Sequence, residues 1–340
     1  MPKNFDECAS AGGPTIGLSH NVVDERTQRE PRPSSSAIYN TVRGGIGMTG
    51  KKAGIVTLPC VDSPDIAASR RRELDIERSV AAALGSSAVE AARNGYYLNR
   101  SGHRVDWRLL VQSARAAKRS IAPDDQLPIA KLQPEPQTRV QVTNETTLQA
   151  SRRLVEAGLR PLALNFANGV RTGGGFLGGA RAQEEVLCRS SALYLALVDD
   201  PMYEYHAQRP RPDSTDWAIY SPDVPVFRED DGTELDQPWL LTFVTSAAPY
   251  APAIGQPESG DLLQKRILRV LAIASAYGHR TLVLGAWGCG AFGNDTHRTA
   301  ADFRRALESD FAGSFSYVVF AVTDWSPNRR FLGPFRDAFS

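Results

Sequence analysis

A glycine-rich turn followed by a pair of carboxylates is the feature that most constrains this chain. Three glycines stand at 173–175, and seven residues later the sequence continues with Gln-Glu-Glu at 183–185. The apolar run 161–168 precedes the turn and the helical pattern 186–197 follows it, which predicts a strand, a glycine loop and a helix start. Bare glycines let backbone N–H groups approach a ligand closely, and a helix N-terminus favours an anion. The segment therefore predicts an anion site with acid/base groups beside it.

Strands and helices alternate over the second half of the chain. Strands are predicted at 139–143, 161–167, 240–245, 281–284 and 317–322, and helices at 145–157, 184–198, 262–277 and 299–307. Such alternation implies an α/β fold with a mostly parallel or mixed sheet and helices on both faces. Ligands of these folds bind beyond the carboxyl ends of the strands.

The first part of the chain differs in composition. Residues 1–60 are rich in Gly, Ser, Pro and Arg without an apolar period, which predicts a disordered or loosely attached tail. Residues 61–136 are predicted to form a helical accessory region, with a helical pattern from residue 65 to 92 and a hairpin that turns at Ser101–Gly102. Residues 137–340 are predicted to form the catalytic domain. A chain that starts near Val61 is expected to fold and to keep most of its activity.

Composition excludes several classes of protein. The net charge of +1 provides no general attraction to nucleic acid or anionic lipid, and no apolar run approaches the roughly 18–20 residues of a membrane helix. Four dispersed cysteines fit a reducing compartment. Neither they nor the five histidines show metal-ligand spacing. We therefore expect a cytoplasmic monomer that uses no metal and no cofactor and binds neither membrane nor nucleic acid.

A second glycine loop, Gly-Cys-Gly-Ala-Phe-Gly at 288–293, follows a predicted strand and precedes a helix. The pattern G-x-G-x-x-G alone is typical of a dinucleotide-binding fold, so a nicotinamide-dependent oxidoreductase is one alternative. A single strand follows the loop, however, and that alternative leaves Gln-Glu-Glu unexplained. The arrangement favours a second phosphate cradle that faces the first. Because no histidine motif accompanies Cys289, we interpret it as a small loop residue.

The combined motifs resemble those of poly(ADP-ribose) glycohydrolases, in which three glycines, six to eight residues and Gln-Glu-Glu follow one another. Phe-Ala-Asn at 166–168 and the loop at 285–293 also resemble segments of this family, and the ending Val-Thr-Asp-Trp-Ser-Pro at 322–327 resembles its compact bacterial and fungal branch. The resemblance covers roughly residues 65–340. It implies a macrodomain-like three-layer α/β/α sandwich with a mixed sheet and an N-terminal helical accessory region.

The resemblance also implies an activity, hydrolysis of ribose–ribose O-glycosidic bonds in poly(ADP-ribose) with release of ADP-ribose. It assigns the general acid/base role to Glu185, ribose-hydroxyl binding to Glu184 and a ribose contact to Asn168. The other substrate-binding residues it implies are Gly173, Gly174, Gly175, Gln183, Gly288, Cys289, Gly290, Ala291, Phe292 and Gly293. By topology, Glu145, Thr146, Thr323 and Asp324, with Trp325, are predicted on the adenine side.

Less specific interpretations of these residues stay open at this point. Glutamates in a first helical turn complement the helix dipole, the glycines can form a surface loop, Asn168 can cap a local turn, and Phe292 can pack in the core. A non-catalytic ADP-ribose reader is the main alternative function, although pure binding gains nothing from two carboxylates beside an anionic ligand. The substrate expected for an enzyme is poly(ADP-ribose) or an ADP-ribosylated protein, in a DNA damage response.

Overall fold

A mixed sheet forms the frame of the protein in a computed structural model that describes residues 54–130 and 133–340. The strands are β1 (Gly54–Thr57), β2 (Tyr96–Leu98), β3 (Arg104–Asp106), β4 (Arg119–Ile121), β5 (Gln137–Thr143), β6 (Pro161–Ala167), β7 (Ala218–Arg228), β8 (Glu234–Ala247), β9 (Thr281–Leu284) and β10 (Tyr317–Ala321). Eight of them form one sheet in the order β1-β5-β10-β9-β6-β8-β7-β4, and β2 and β3 form a hairpin.

Helices cover both faces of this sheet. They are α1 (Pro64–Leu74), α2 (Arg78–Asn94), α3 (Arg108–Ala117), α4 (Thr147–Glu156), α5 (Gln183–Ser190), α6 (Leu193–Leu197), α7 (Pro201–Ala207), α8 (Ala251–Ile254), α9 (Glu258–Ala276), α10 (Thr296–Glu308) and α11 (Leu332–Ala338). Helix α2 contacts α3 and α5, whereas α9, α10 and α11 form a second contiguous group. The predicted macrodomain-like α/β/α sandwich is confirmed.

Six strands of the sheet run parallel, from β1 through β5, β10, β9 and β6 to β8. Strand β7 is antiparallel to β8, and β4 is antiparallel to β7, so the sheet is mixed as expected. In the register of the parallel pairs, Thr143 lies opposite Ala321, and Ala167 opposite Ala247. The segments that follow these strands therefore leave the sheet at the same edge.

The sheet opens along this edge between β6 and β9. Strand β6 pairs with β8 as far as Ala167, whereas its pairing with β9 ends at Ala163. The side-chain amide of Gln183 takes the place of the missing neighbour. Its Oε1 accepts the N–H of Phe166 at 2.9 Å, and its Nε2 donates to the carbonyl of Leu164 at 2.7 Å. The split thus creates a crevice without leaving these backbone groups unpaired.

The N-terminal helices share the core of the sheet. The ring of Trp107 lies 4.6 Å from that of Phe227 on β7, and Tyr97 contacts both rings. The indole N–H of Trp107 donates to the carbonyl of Ala91 at 3.1 Å. All described residues belong to one compact unit. The boundary between an accessory region that ends at residue 136 and a catalytic domain that begins at residue 137 stays a prediction.

Several local predictions need correction. The helical pattern from residue 65 to 92 is interrupted at 75–77, where Asp75 binds Arg181 at 2.8 Å, so it forms two helices. The predicted helix 184–198 is likewise two helices, because Ser191 between them bridges to Val226 of β7. The hairpin turning at Ser101–Gly102 is confirmed. Strand β4 and helices α7, α8 and α11 were not predicted.

The boundary of the predicted tail also changes. Residues 1–53 lie outside the described residues, but residues 54–57 form β1 and pair in parallel with β5. The prediction of a tail that extends to residue 60 is therefore wrong at its end. Strand β1 joins the sheet by backbone hydrogen bonds, and three of its four residues are exposed. An edge strand of this kind carries no apolar period that sequence analysis can detect.

Two truncated chains test the contribution of β1. A chain that begins at Val61 lacks β1 and the bond from the Leu58 N–H to the Val140 carbonyl, 2.8 Å long, which a chain beginning at Gly54 retains. We expect the shorter chain to be less stable by about 2 kcal/mol, because several backbone hydrogen bonds are lost while little apolar surface is exposed. Urea unfolding of both chains measures the difference. Equal midpoints would show that β1 contributes nothing.

Candidate active site

A cavity of about 460 Å³ lies at the edge where the parallel strands end. Its lining includes residues from the segments that follow five strands of the sheet. These residues are Glu145 and Thr146 after β5, Asn168 after β6 and Ala248 after β8. Ala286 to Gly288 and Gly290 to Phe292 follow β9, and Val322, Thr323 and Trp325 follow β10. Gln183, Glu184 and Glu185, at the start of α5, form another part of the wall. The fold therefore brings both predicted motifs to one crevice.

Glu184 is buried, with 3% of its surface exposed. Its Oε2 accepts the backbone N–H of Asn168 at 2.8 Å, and its Oε1 lies 3.4 Å from the Nδ2 of Asn165. Burial raises its pKa to about 8, the charge of Glu185 adds to the rise, and the N–H bond from Asn168 opposes it. A glutamate that only complemented the helix dipole would be solvated, so this interpretation does not hold for Glu184.

Glu185 is held on one side and unpartnered on the other. Its Oε1 accepts the backbone N–H of Gly175 at 2.9 Å, whereas its buried Oε2 has no hydrogen-bond partner among the described residues. The residue lines the cavity. Its carboxyl group is thus fixed in orientation and retains one oxygen for a proton or a ligand.

The first glycine loop packs directly against this carboxyl group. Gly174 has a φ of +60°, and a Cβ added there would lie 2.3 Å from Oε1 of Glu185 and 2.9 Å from Oε2 of Glu184. An alanine at this position would therefore be strained and would displace the carboxylates. None of the three glycines lines the cavity, so their role in binding phosphate stays a prediction.

Asn168 and Gln183 contribute to the local framework as well as to the cavity wall. The Oδ1 of Asn168 accepts the N–H groups of Val170 and Arg171, each at 3.0 Å, so it caps the turn after β6. The turn leaves the amide NH₂ of Asn168 available for a ligand. The Oε1 of Gln183 accepts a backbone N–H of β6, and its Nε2 donates to a backbone carbonyl of β6 and to the hydroxyl of Thr147 on α4. Contact of either residue with a substrate stays a prediction.

The second glycine loop forms part of the cavity wall. Gly288, Gly290, Ala291 and Phe292 line the cavity, whereas Cys289 and Gly293 do not. Phe292 is half-buried at the rim, where its ring lies edge-on to Tyr250 at 5.9 Å, and it is therefore not a core residue.

Cys289 lies behind this wall. Burial raises the pKa of its thiol to about 11, and its Sγ lies 3.5 Å from the carbonyl of Trp287. A thiol with this pKa is protonated at neutral pH and is not a nucleophile.

The predicted adenine side is only partly assembled at the cavity. Glu145, Thr146, Thr323 and Trp325 line it, and Glu145 also pairs with Arg153 at 2.7 Å. Asp324 does not line it. Its buried carboxylate accepts the N–H groups of Phe331 and Leu332, at 2.8 and 3.1 Å, together with that of Ser326. Asp324 therefore shapes the loop that carries Trp325, and no oxygen of its carboxylate faces the cavity wall.

Two buried charged residues near the glutamates were not predicted. Asp230 lies in the turn between β7 and β8, lines the cavity and accepts the hydroxyl of Thr146 at 2.6 Å. Burial raises its pKa to about 7. Arg189 is one helical turn beyond Glu185 and 1% exposed, and its guanidinium nitrogens have no hydrogen-bond partner among the described residues. Burial lowers the pKa of Arg189 from its ordinary value, and the negative charges of Asp230 and Glu185 oppose this shift.

The sequence offers a signal for only one of them. The spacing of Glu185 and Arg189 is that of side chains on one helix face. The run Glu-Asp-Asp at 229–231 instead predicts a solvated turn.

Within residues 54–130 and 133–340, no group of three or more His, Cys, Asp or Glu side chains is arranged to hold a metal ion. None of the helices described there is long and apolar enough to cross a membrane.

A mixed sheet between two helical layers is the architecture of a macrodomain-like protein. Its ligand site lies at the carboxyl edge of the sheet and is lined by two adjacent glutamates and part of a glycine loop. A family model described as microbial-type PARG, catalytic domain, matches residues 85–229. The crystal structure of poly(ADP-ribose) glycohydrolase from Thermomonospora curvata is 42% identical, with 76% of this chain and 99% of that chain covered and a TM-score of 0.72. The chain belongs to the microbial-type poly(ADP-ribose) glycohydrolase family.

Two ligand complexes are among the similar structures. The T. curvata enzyme bound to the inhibitor ADP-HPD is 41% identical, with 76% of this chain and 99% of that chain covered and a TM-score of 0.70. Poly(ADP-ribose) glycohydrolase from Deinococcus radiodurans in complex with ADP-ribose is 38% identical, with 69% and 98% covered and a TM-score of 0.62. The comparison with curated proteins gives no match.

Asp230→Asn tests the electrostatics of this site. The unfolded chain loses the Asp230 proton near the ordinary pKa of 3.8, whereas the folded chain keeps it until about pH 7. The free energy of unfolding should therefore fall as the pH rises from about 4 to 7. The variant cannot ionise, so it should gain stability relative to the natural protein across this range, by up to about 4 kcal/mol.

Chemical denaturation at several pH values measures this gain. Asp231→Asn, on an exposed residue of the same turn, is the matched control. The same pH dependence in both variants would contradict the argument.

Proposed function

We propose that this protein hydrolyses ribose–ribose O-glycosidic bonds in poly(ADP-ribose) and releases ADP-ribose, with Glu185 as general acid and base. Membership of the glycohydrolase family supports the reaction. The observation that carries the assignment of Glu185 is its asymmetric environment, with Oε1 bound to the Gly175 N–H and Oε2 unpartnered at the cavity. A protein that only bound ADP-ribose would gain nothing from an unpartnered carboxyl oxygen beside an anionic ligand.

The chemistry explains why one such group suffices. Cleavage at the anomeric carbon develops an oxocarbenium-like centre and leaves a 2′-oxygen that needs a proton. Protonated Glu185 supplies that proton through Oε2. The resulting carboxylate, still held by Gly175, stabilises the cation and accepts a proton from the attacking water. Glu184, one position earlier on α5, points about 100° away around the helix axis and binds the ribose hydroxyls.

The two glycine loops hold the rest of the substrate in this proposal. The diphosphate lies in the crevice between β6 and β9 and receives backbone N–H groups, chiefly from the second loop, whose Gly288, Gly290 and Ala291 line the cavity. The adenosine extends toward Glu145, Thr146 and Thr323 after β5 and β10. The substrate is the polymer or an ADP-ribosylated protein, the product ADP-ribose, and the protein acts as a cytoplasmic monomer.

Glu185→Gln separates chemistry from binding. Because the amide cannot transfer a proton, we expect turnover of labelled poly(ADP-ribose) to fall by about 10²–10⁴-fold. The amide Oε1 can still accept the Gly175 N–H, so the affinity for ADP-ribose should stay within about tenfold. Product analysis and calorimetric titration measure the two effects.

The matched control is Glu90→Gln on the exposed face of α2, which should leave both quantities unchanged. If the turnover of Glu185→Gln is close to that of the natural protein, Glu185 is not the general acid and base. If the natural protein binds ADP-ribose but never cleaves the polymer, it is instead a non-catalytic ADP-ribose-binding protein.

Gly174→Ala tests how the first loop acts. A Cβ at this position meets Oε1 of Glu185 at 2.3 Å, so the carboxyl group must move. A displacement on the order of 1 Å should lower turnover by about 10²-fold. Gly178→Ala in the same loop is the control, because a Cβ there has its nearest neighbour at 3.9 Å. Unchanged turnover in Gly174→Ala, with normal folding, would show that close packing on Glu185 is not required.

A further inference from the structure

A buried histidine lies behind the turn that follows β6. His206, near the end of α7, is 3% exposed. Its Nδ1 lies 3.1 Å from the carbonyl oxygen of Gly169, and its Nε2 lies 2.7 Å from the hydroxyl of Thr215. The backbone N–H of Thr215 also points at Nε2, at 3.1 Å. The imidazole therefore bridges two loops that are far apart in the sequence, one at Gly169 and the other at Thr215.

The partners determine the protonation state of this ring. A carbonyl oxygen can only accept, so Nδ1 carries the hydrogen, and a backbone N–H can only donate, so Nε2 is the acceptor. Burial lowers the pKa of His206 to about 4, and the charges of Arg266 and Arg209 add to this effect. The ring is thus neutral at pH 7, with a single tautomer that donates to Gly169 and accepts from Thr215.

The turn that His206 holds is connected to both glutamates. Asn168, directly before Gly169, donates its backbone N–H to Glu184. At the other end of the turn, the carbonyl of Arg171 accepts the N–H of Gly174 at 2.9 Å, next to the glycine that binds Glu185. A shift of the Gly169 carbonyl would therefore be transmitted to the ribose end of the site.

The loop on the other side of His206 is itself firmly held. Arg266, buried in α9, donates to the carbonyl of Ala247 at 2.9 Å and to that of Asp213. Ser214 packs so closely on the turn that a Cβ at Gly169 would lie 2.4 Å from its hydroxyl oxygen. His206 thus joins the turn to a rigid support, with no contact to the cavity of its own.

We propose that His206 is a positioning residue, which fixes the Asn168–Arg171 turn through Gly169 and thereby places Asn168 and Glu184 against the distal ribose of the substrate. This inference rests on the proposed function for its turnover readout. It concerns only the ribose end of the site. The second glycine loop lines the cavity with Gly288, Gly290, Ala291 and Phe292, whereas His206 does not line it.

Three variants of His206 separate positioning from general packing. His206→Leu removes the hydrogen bonds to Gly169 and to Thr215. His206→Asn keeps an N–H at the place of Nδ1 and can still donate to the carbonyl of Gly169. His206→Gln places its amide near Thr215 and does not restore the bond to Gly169. We expect His206→Leu to lower polymer turnover by about 10- to 100-fold, because the turn is misplaced. His206→Asn should recover most of this loss and His206→Gln little of it. Thr215→Val is the control and should stay within about threefold of the natural protein.

A pair of ligands provides a readout that does not depend on turnover. In His206→Leu the affinity for ADP-ribose should fall about tenfold, while that for ADP, which lacks the distal ribose, stays within about twofold. Equal losses for both ligands, or Asn and Gln variants that behave alike, would overturn the inference even if the Leu variant folds poorly. A natural protein that does not cleave the polymer would instead refute the proposed function, and the ligand pair would still decide the role of His206.

Discussion

The site depends on the point at which β6 stops pairing with β9, before β6 itself ends. The two strands pair only as far as Ala163, and beyond that point β6 continues beside β8 while the chain after β9 turns into the second glycine loop. An open sheet edge in the protein interior would leave backbone groups unpaired. Gln183 resolves this conflict, because its amide bonds both the Phe166 N–H and the Leu164 carbonyl. The same residue begins α5, so the opening of the crevice and the position of Glu184 and Glu185 have one cause.

Burial of acidic groups beside an anionic ligand is the main electrostatic cost of this arrangement. Glu184 and Asp230 respond with raised pKa values, to about 8 and about 7, for which burial is the largest cause. Burial lowers the pKa of Arg189, and the negative charges of Asp230 and Glu185 oppose this shift. Backbone N–H groups from Asn168 and Gly175 donate to Glu184 and Glu185, and the hydroxyl of Thr146 donates to Asp230. Neutral hydrogen-bond donors thus hold these carboxyl groups in place.

Two aromatic clusters keep the sheet and its helices rigid around the cavity. On one face Trp107 and Phe227 join the N-terminal helices to β7. On the other, Phe320 of β10 contacts Phe335 and Phe339, with ring centroids 5.2 and 4.7 Å apart. Side chains packed at such density move little, which lets a turn such as 168–171 hold a carboxylate at a fixed distance. A loop site without this support would lose the alignment on which proton transfer depends.

The sequence by itself determined the α/β class, the parallel strands of the frame and the two glycine loops with Gln183, Glu184 and Glu185, because periodicity and glycine spacing are local properties of the chain. Tertiary structure alone decided that Asp324 faces away from the cavity, that β1 belongs to the sheet, and that Asp230 and Arg189 are buried near the glutamates. It also decided that the glycines pack on Glu185. The positions of β1 and Asp230 depend on contacts between segments far apart in the chain, and local sequence patterns do not record such contacts. The glycines and Glu185 are closer in sequence, but their packing depends on how the loop folds back on α5.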